Sequence, residues 1–469
     1  MIRAVRNTHV AVNQLPPEIL SKVLEHRDYE WDLIAATHVC QYWRSTLTSS
    51  PPLWTNFRFR SSDAGRMLTY LERSKSVTID IRIVIDPSEG PEVFHHFVPH
   101  ITRTRTFVIQ GFGDVHAASS LLLCGPAPFL EHLEVRAYEG PVRGIANFLG
   151  QQAPSLRSIN FDGTFPMLES TFPLPNLTDF NLFLPDDSGK FRISSLLRFF
   201  SDSPRLQKIS IGISSEIIQD ATPDQVISLE SLTELDYACR NPIGRVLPHL
   251  KLPHLSRLRS SSFLHEGQVH KLAEFLPNGC RALLEGVTSM LYSCNEYSQM
   301  VYFPGKDTDV SVTVHNGGTN SGRIDWFSDE TYGPFGRIED LEVEGHYIAS
   351  DFFLEPFKSL TSFRVTSWNA EFTEGFLRLL CPPEDAAFPC PSLREIQCTS
   401  WEHPGSITRS LVNVVKDRER LGQQLALVRI FSGEKPSPEV EEELREHIGE
   451  LRLESLEERH KFLLFPLQR

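Results

Sequence analysis

Residues 154–161 read "PSLRSINF", and this eight-residue form recurs along the middle of the chain. Its third residue is leucine, or once isoleucine, and the sixth position is apolar in most copies, as is the eighth. Such alternation predicts a short strand with one apolar face, and the leading leucine closes the core beneath it. The copies lie at 128–135, 154–161, 175–182, 204–211, 230–237, 253–260, 336–343, 358–365 and 391–398.

The spacing of these copies predicts a repeat architecture. The first six third-position residues stand at 130, 156, 177, 206, 232 and 255, so successive intervals are 26, 21, 29, 26 and 23 residues. These intervals fit the period of leucine-rich repeats, in which each unit carries one strand. The apolar segments 142–153 and 193–203 are expected to form return helices. Residues 260–335 hold no clean copy, so we expect an irregular solenoid with an insertion there.

The opening region, residues 13–57, has a different pattern. Pro16 and Pro17 suit the first turn of a helix, where a missing N–H costs nothing. Aliphatic residues then follow at helical spacing, and a second helical pattern ends at Pro51 and Pro52. A unit of this size buries too little area to be stable alone. Either the rest of the chain or another protein is therefore expected to cover its apolar surface.

The order of residues in this region resembles the F-box family. "LPPEILSKVLEH" (15–26) and "DLIAATHVCQYWRSTLTSSPPLW" (32–54) carry the leading Leu-Pro-x-Glu, an aliphatic pair one turn later, a Val-Cys-x-x-Trp-Arg segment and a closing Leu-Trp. The resemblance covers about a tenth of the chain. It implies that the helices dock on a Skp-type adaptor. The implied contact residues are Leu15, Pro16, Ile19, Leu20, Val23, Leu24, Leu33, Val39 and Trp43.

The full expectation is an α/β protein in four parts. Residues 1–12 are a flexible N-terminus, 13–57 a small all-α F-box, 58–404 a leucine-rich-repeat-like domain with short parallel strands, and 405–469 a C-terminal helical cap. By the resemblance, the protein is the substrate receptor of a Skp–cullin–F-box ubiquitin ligase, with an unknown protein substrate held by the repeats. The alternative is an interaction scaffold that works outside any ligase.

The composition narrows the partners and the cellular compartment expected for the chain. The net charge of −14 argues against a nucleic-acid partner, which needs a positive footprint. No apolar run reaches the roughly 20 residues of a membrane span. The eight cysteines show no metal-binding spacing, so thiols in a reducing compartment are expected, in the cytoplasm or the nucleus. No cofactor is expected.

Catalytic motifs are missing from the sequence. It contains no G-x-S-x-G, no phosphate-binding loop and no H-E-x-x-H. The histidines at 95, 96 and 100 lack nearby cysteine or carboxylate ligands at motif spacing, so a metal site is not expected. We therefore expect no enzyme activity from the chain itself. An unrecognised hydrolase remains a third class, and a pocket of converging titratable groups is the sign of it.

Overall fold

A computed structural model gives the architecture of most of the chain. The described residues are 10–25, 30–86, 91–112, 115–137, 148–163, 173–185, 191–214, 217–218, 220, 226–239, 246–263, 269–276, 283–295, 297–315, 323–325, 335–346, 354–367, 369–381, 389–400, 404–433 and 435–456. The chain divides into two units. The first comprises residues 1–221 and 229–231, and the second comprises residues 222–228 and 232–469.

The first unit opens with helices. Its helices are α1 (Pro17–Glu25), α2 (Glu30–Thr37), α3 (Gln41–Thr48), α4 (Ala64–Arg73), α5 (Val115–Leu122) and α6 (Ile193–Ser201). Helix α1 begins beside the predicted pair of prolines, and the 3-10 turn Pro51–Trp54 follows α3 where Pro51 and Pro52 were expected to end it. The segment 193–203 forms α6, as expected of a return helix.

A parallel sheet follows in the first unit. Its strands are β1 (Asn56–Arg60), β2 (Ile79–Ile85), β3 (Thr104–Gly111), β4 (His132–Ala137), β5 (Ser158–Asp162), β6 (Asp179–Leu184), β7 (Phe191–Arg192), β8 (Lys208–Ile213) and β9 (Ile217–Ile218). Strands β1 to β6 pair in chain order and β8 pairs with β6, always in parallel. The short β7 and β9 pair separately.

The second unit is also built on strands. They are β10 (Ile227–Ser228), β11 (Glu234–Cys239), β12 (Leu250–Lys251), β13 (Arg257–Phe263), β14 (Val269–Lys271), β15 (Ser289–Cys294), β16 (Ser298–Pro304), β17 (Asp309–His315), β18 (Arg323–Asp325), β19 (Asp340–Gly345), β20 (Ser362–Thr366), β21 (Glu395–Ser400), β22 (Leu427–Ser432) and β23 (Glu450–Glu454). Its helices are α7 (Ala370–Leu379), α8 (Pro404–Arg420) and α9 (Pro438–His447).

The strand order of the second unit departs from chain order at one place. Neighbouring strands run β11, β13, β17, β16, β15, β19, β20, β21, β22 and β23. Strand β16 is antiparallel to both its neighbours, and the other pairs are parallel. The antiparallel strand lies inside 260–335, the segment that holds no clean copy of the eight-residue form.

Every copy of the eight-residue form adopts the same local structure. In every copy, the strand begins two residues after the third-position residue: Leu156 precedes β5 and Leu393 precedes β21 in this way. The third-position residues are buried, with exposed fractions of 0–5%. Burial alternates along β5, β6, β8 and β11, so the apolar side of each strand faces the core. Apolar residues at alternate positions thus account for the strands of both units.

The C-terminal region differs from the expected helical cap. Strands β22 and β23 pair in parallel with β21 and with each other, so the region extends the sheet of its own unit. The strongly acidic stretch 437–462, which begins with the helix-start pattern Ser437-Pro438-Glu439, is predicted from its sequence to be one helix. The helix α9 ends at His447 instead, and β23 follows it. The physical reason is that Leu451 and Leu453 stand at alternate positions beyond the helix, a strand pattern that their charged neighbours obscure. Residues 457–462 of that prediction lie outside the described residues.

Among the described residues, no helix is both long enough and apolar enough to cross a membrane. In the described residues, an N-terminal helical region precedes a mostly parallel sheet, so the fold class is mixed α/β. The predicted return helix at 142–153 is described only from 148 onward, where a 3-10 turn, Phe148–Gln151, stands in place of an α-helix.

Candidate partner-binding surface of the N-terminal helices

Residues 10–16 form a strap that lies against α3. The Trp43 indole Nε1 donates a hydrogen bond to Asn13 Oδ1 at 2.7 Å, and the Tyr42 hydroxyl donates to the carbonyl oxygen of Leu15. Residues of the strap that precede α1 are therefore held by two aromatic side chains of one helix. Trp43, predicted from the sequence as a partner contact, is half-buried and positions the strap.

Part of the helical core is closed within the chain itself. Leu20 on α1, Leu33 on α2 and Leu47 on α3 each have an exposed fraction of 0%. Leu20 and Leu33 were both predicted to contact a partner. Because their side chains are fully buried, they pack beneath the partner-binding surface and do not form part of it. Each fully buried leucine side chain stabilises the folded state by about 1.5–3 kcal/mol.

A second set of predicted residues is exposed and apolar. Ile19 and Val23 lie one turn apart on α1, with exposed fractions of 47% and 57%, and Val39 between α2 and α3 is 57% exposed. The i, i+4 spacing places Ile19 and Val23 on one helix face. Neighbouring apolar side chains that are exposed at this level, as Ile19 and Val23 are, mark a surface suited to another protein. We call Ile19, Val23 and Val39 the exposed aliphatic set.

The remaining predicted contacts differ in their exposure. Pro16 is exposed, whereas Leu15 and Leu24 are half-buried. Two residues that the sequence pattern did not single out, Val10 and Val12, are 46% and 41% exposed. They lie on the strap just before α1. A pattern search could have found them only as alternate valines in "VAVNQLP" (10–16), a weak signal.

The helices are joined firmly to the sheet through Trp54. Its side chain is fully buried, and its Nε1 donates a hydrogen bond to the Leu47 carbonyl oxygen at 2.8 Å. The Tyr70 ring of α4 stands edge-on to the indole at 4.7 Å, and the Arg73 guanidinium lies over it at 4.4 Å. Trp54 therefore links α3 to the helix that follows β1.

The histidines noted in the sequence lie on two neighbouring 3-10 turns, Pro91–His96 and Val98–Arg103. His95 and His96 are exposed on a 3-10 turn. His100 is half-buried, and Arg103 Nε donates to its Nδ1 at 3.3 Å. Burial and then the Arg103 charge lower the pKa of His100. Within the described residues, no group of three or more histidine, cysteine or acidic side chains is arranged to hold a metal ion.

Comparison with known families identifies the helical region. Residues 12–60 match the family model described as F-box-like. The chain carries an F-box-like domain. The match covers α1 to α3, the strap from Val12 onward and all of β1. No curated protein matches the chain. The exposed aliphatic set and the buried leucines beneath it therefore lie within the F-box-like domain, and Trp54 anchors that domain to the fold.

Proposed function

We propose that the protein is a substrate receptor of a Skp–cullin–F-box ubiquitin ligase. The observation that supports this most directly is the F-box-like match at residues 12–60, because F-box domains typically bind Skp-type adaptors. Exposed Ile19 and Val23 supply the apolar surface that such docking requires. A few residues carry most of the binding energy in many protein interfaces, and these two residues are the proposed anchors on α1.

We further propose that the strands form a divergent leucine-rich-repeat solenoid that holds the substrate. The recurrence of a buried leucine, or once isoleucine, two residues before the strand in all nine copies supports this, as does the parallel pairing of β1 to β6 and β8. Outward residues of neighbouring strands form rows: Ser158, Asp179 and Lys208 in one row, and Asn160, Asn181 and Ser210 in the next. Such rows offer polar contacts to a protein substrate.

In this account the chain is not an enzyme. A separate ubiquitin-transferring enzyme, brought by the cullin, performs the chemistry while the receptor holds the substrate. The proposed place of action is the cytoplasm or the nucleus. The competing proposal is a scaffold that binds the adaptor without recruiting a cullin. The two proposals therefore differ in whether the chain and its adaptor bind a cullin.

Reconstitution with a cullin separates these proposals. The full chain, a Skp-type adaptor and a cullin would be mixed and resolved by size-exclusion chromatography. A receptor is expected to elute in a three-component complex, and the Ile19→Asp, Val23→Asp double variant is expected to elute apart from adaptor and cullin. A chain that binds the adaptor while excluding the cullin would contradict the receptor function and favour the scaffold.

A further inference from the structure

Three arginines share the outward face of β1 and β2. Burial along β1 alternates so that Phe57 and Phe59 face the core, whereas Arg58 and Arg60 face outward. On β2 the outward residues include Arg82. The parallel register pairs Arg58 with Arg82, and Arg60 stands opposite an outward valine of β2. We call Arg58, Arg60 and Arg82 the arginine corner.

Two members of the arginine corner lack acidic partners. In the part of the chain that the structure describes, Arg58 and Arg82 are exposed and form neither an ion pair nor a hydrogen bond. Asp80 of β2 and Asp86, which directly follows β2, pair with arginines other than Arg58 and Arg82. Arg105 Nε donates to Asp80 Oδ1 at 3.1 Å, and Asp86 Oδ1 lies 3.5 Å from Arg60 Nη1.

This arrangement carries a cost in the isolated chain. Paired strands lie about 4.8 Å apart, so Arg58 and Arg82 leave the sheet side by side. Like charges directly opposite on neighbouring strands are destabilising. The cost disappears when an anionic group lies between the two guanidinium groups. The arginine corner therefore suits an anionic ligand, although the chain as a whole has a net charge of −14.

The spacing of the three arginines favours an extended peptide as the ligand. Arg58 and Arg60 are two residues apart on one strand, a separation of about 6.6 Å. Alternate side chains of an extended peptide have the same separation. The three guanidinium groups are spread over two strands, so together they can contact more than one carboxylate of such a peptide. The net negative charge elsewhere opposes a long polyanion such as a nucleic acid.

We propose that the arginine corner binds an extended acidic segment of a protein, with Asp or Glu at alternate positions. Carboxylates accept paired hydrogen bonds from the planar guanidinium, which suits arginine better than lysine for this contact. The inference rests on the proposed function in one respect: the segment belongs to the substrate. Binding itself needs no adaptor.

The proposal is tested by fluorescence anisotropy with the full chain and labelled synthetic peptides. The first peptide carries three Glu at alternate positions, separated by Ser and Val. The second has the same composition with the three Glu adjacent, and the third has Gln for each Glu. The variant Arg58→Gln, Arg82→Gln is compared with Arg198→Gln, Arg420→Gln, which removes the same charge from exposed helix positions.

The alternate-Glu peptide is expected to bind best. Its affinity is expected to fall about tenfold or more in the Arg58, Arg82 variant, because two charged hydrogen-bonding groups are lost. The Arg198, Arg420 variant is expected to bind as the native chain does. Raising the salt concentration is expected to weaken binding, since the contacts are exposed.

Three results would overturn the proposal. The first is equal binding of the alternate-Glu and Gln peptides. The second is equal loss in both arginine variants. The third is preferential binding of a labelled single-stranded oligonucleotide with the same dependence on Arg58 and Arg82. Co-purification of the Arg58, Arg82 variant with the Skp-type adaptor is measured in parallel. Adaptor binding without acidic-peptide binding rejects this inference alone, and acidic-peptide binding without adaptor binding rejects the ligase function alone.

Discussion

The ring of Tyr70 stands edge-on to the buried indole of Trp54, with ring centroids 4.7 Å apart and planes at 78°. Trp54 lies within the F-box-like domain, and Tyr70 belongs to α4 beyond it. Tyr70 also contacts Phe57 and Phe59 of β1 at 5.5 Å and 5.3 Å. One aromatic cluster thus joins the helical domain to the first strand, and the surface that presents Ile19 and Val23 rests on a continuous core.

Replacing Trp54 is expected to destabilise the chain. Trp54→Ala removes a fully buried side chain and its hydrogen bond to Leu47, at a cost of about 3–5 kcal/mol. Urea unfolding followed by circular dichroism measures the loss as a lower midpoint. Tyr297→Ala is the control, because Tyr297 is 73% exposed, and its midpoint is expected to match that of the native chain. Equal midpoints for the native and Trp54→Ala chains would contradict the role of Trp54 in joining the helical domain to β1 and α4.

A buried arginine is expected to hold α8 to the turn before β21. The Arg418 Nη2 donates to the carbonyl oxygen of Cys390 at 3.0 Å, and burial lowers the pKa of Arg418 to about 10. Arg418→Met leaves buried carbonyls without this donor, at an expected cost of about 2–4 kcal/mol in urea unfolding. Arg420→Met removes a side chain that is 74% exposed on the same helix. An equal loss of stability in the Arg418→Met and Arg420→Met chains would contradict the role of Arg418 in holding α8 to the turn before β21.

Burial of Cys398 predicts a loss of stability in alkali. Burial raises the pKa of its thiol from 9.0 to about 12. Below pH 9 the folded and unfolded chains both keep the proton, so stability does not change with pH through this group. Between pH 9 and about 12 only the unfolded chain releases it, so the free energy of unfolding falls by up to about 1.4 kcal/mol per pH unit.

Urea titrations at pH 8, 9 and 10 measure this dependence. The native chain is expected to lose stability over this range more steeply than Cys398→Ala, which has no thiol to titrate at that position. Parallel pH profiles for the two chains would show that the Cys398 thiol does not contribute.

Two glycines are expected to respond differently to a methyl group. A Cβ at Gly163, where φ is +78°, would lie 1.9 Å from the Ala137 carbonyl oxygen. At Gly212 the contact is with the ring of Phe183, which is 46% exposed and can turn away. Gly163→Ala is expected to cost about 2 kcal/mol or more, and Gly212→Ala about 1 kcal/mol or less. Thermal unfolding of both variants checks the difference, and the reverse order would contradict it.

The sequence predicted the strands best where a leucine precedes the alternating pair. Leu156 and Leu393 each stand two residues before a strand, as the pattern required. It missed β15, because Val287 occupies the same position within a less regular copy, whereas the short apolar strand that the pattern predicts after α8 is present as β22. It also missed β1, because the alternating residues "NFRFR" (56–60) directly follow the segment that resembles an F-box and do not belong to a copy of the eight-residue form.

The candidate site was predicted only in part, because helical spacing does not separate exposed from buried faces. Leu20 and Val23 belong to the same apolar pattern, but Leu20 is fully buried whereas Val23 is 57% exposed. A charge placed at Leu20 would therefore test folding rather than binding. The arginine corner was beyond sequence reasoning, because it depends on the register that sets Arg58 opposite Arg82.

Adaptor binding by the exposed aliphatic set is the central claim, and one co-expression measurement tests it most directly. The full chain, the Ile19→Asp, Val23→Asp variant and a Leu421→Asp control would each be co-expressed with a Skp-type adaptor and analysed by size-exclusion chromatography with light scattering. Leu421 is 49% exposed, close to the 47% of Ile19, and lies outside the F-box-like domain. The native and Leu421→Asp chains are expected to form 1:1 complexes, whereas the double variant remains folded and monomeric. A native chain that stays monomeric beside the adaptor, or a double variant that binds as well as the native chain, would contradict the account.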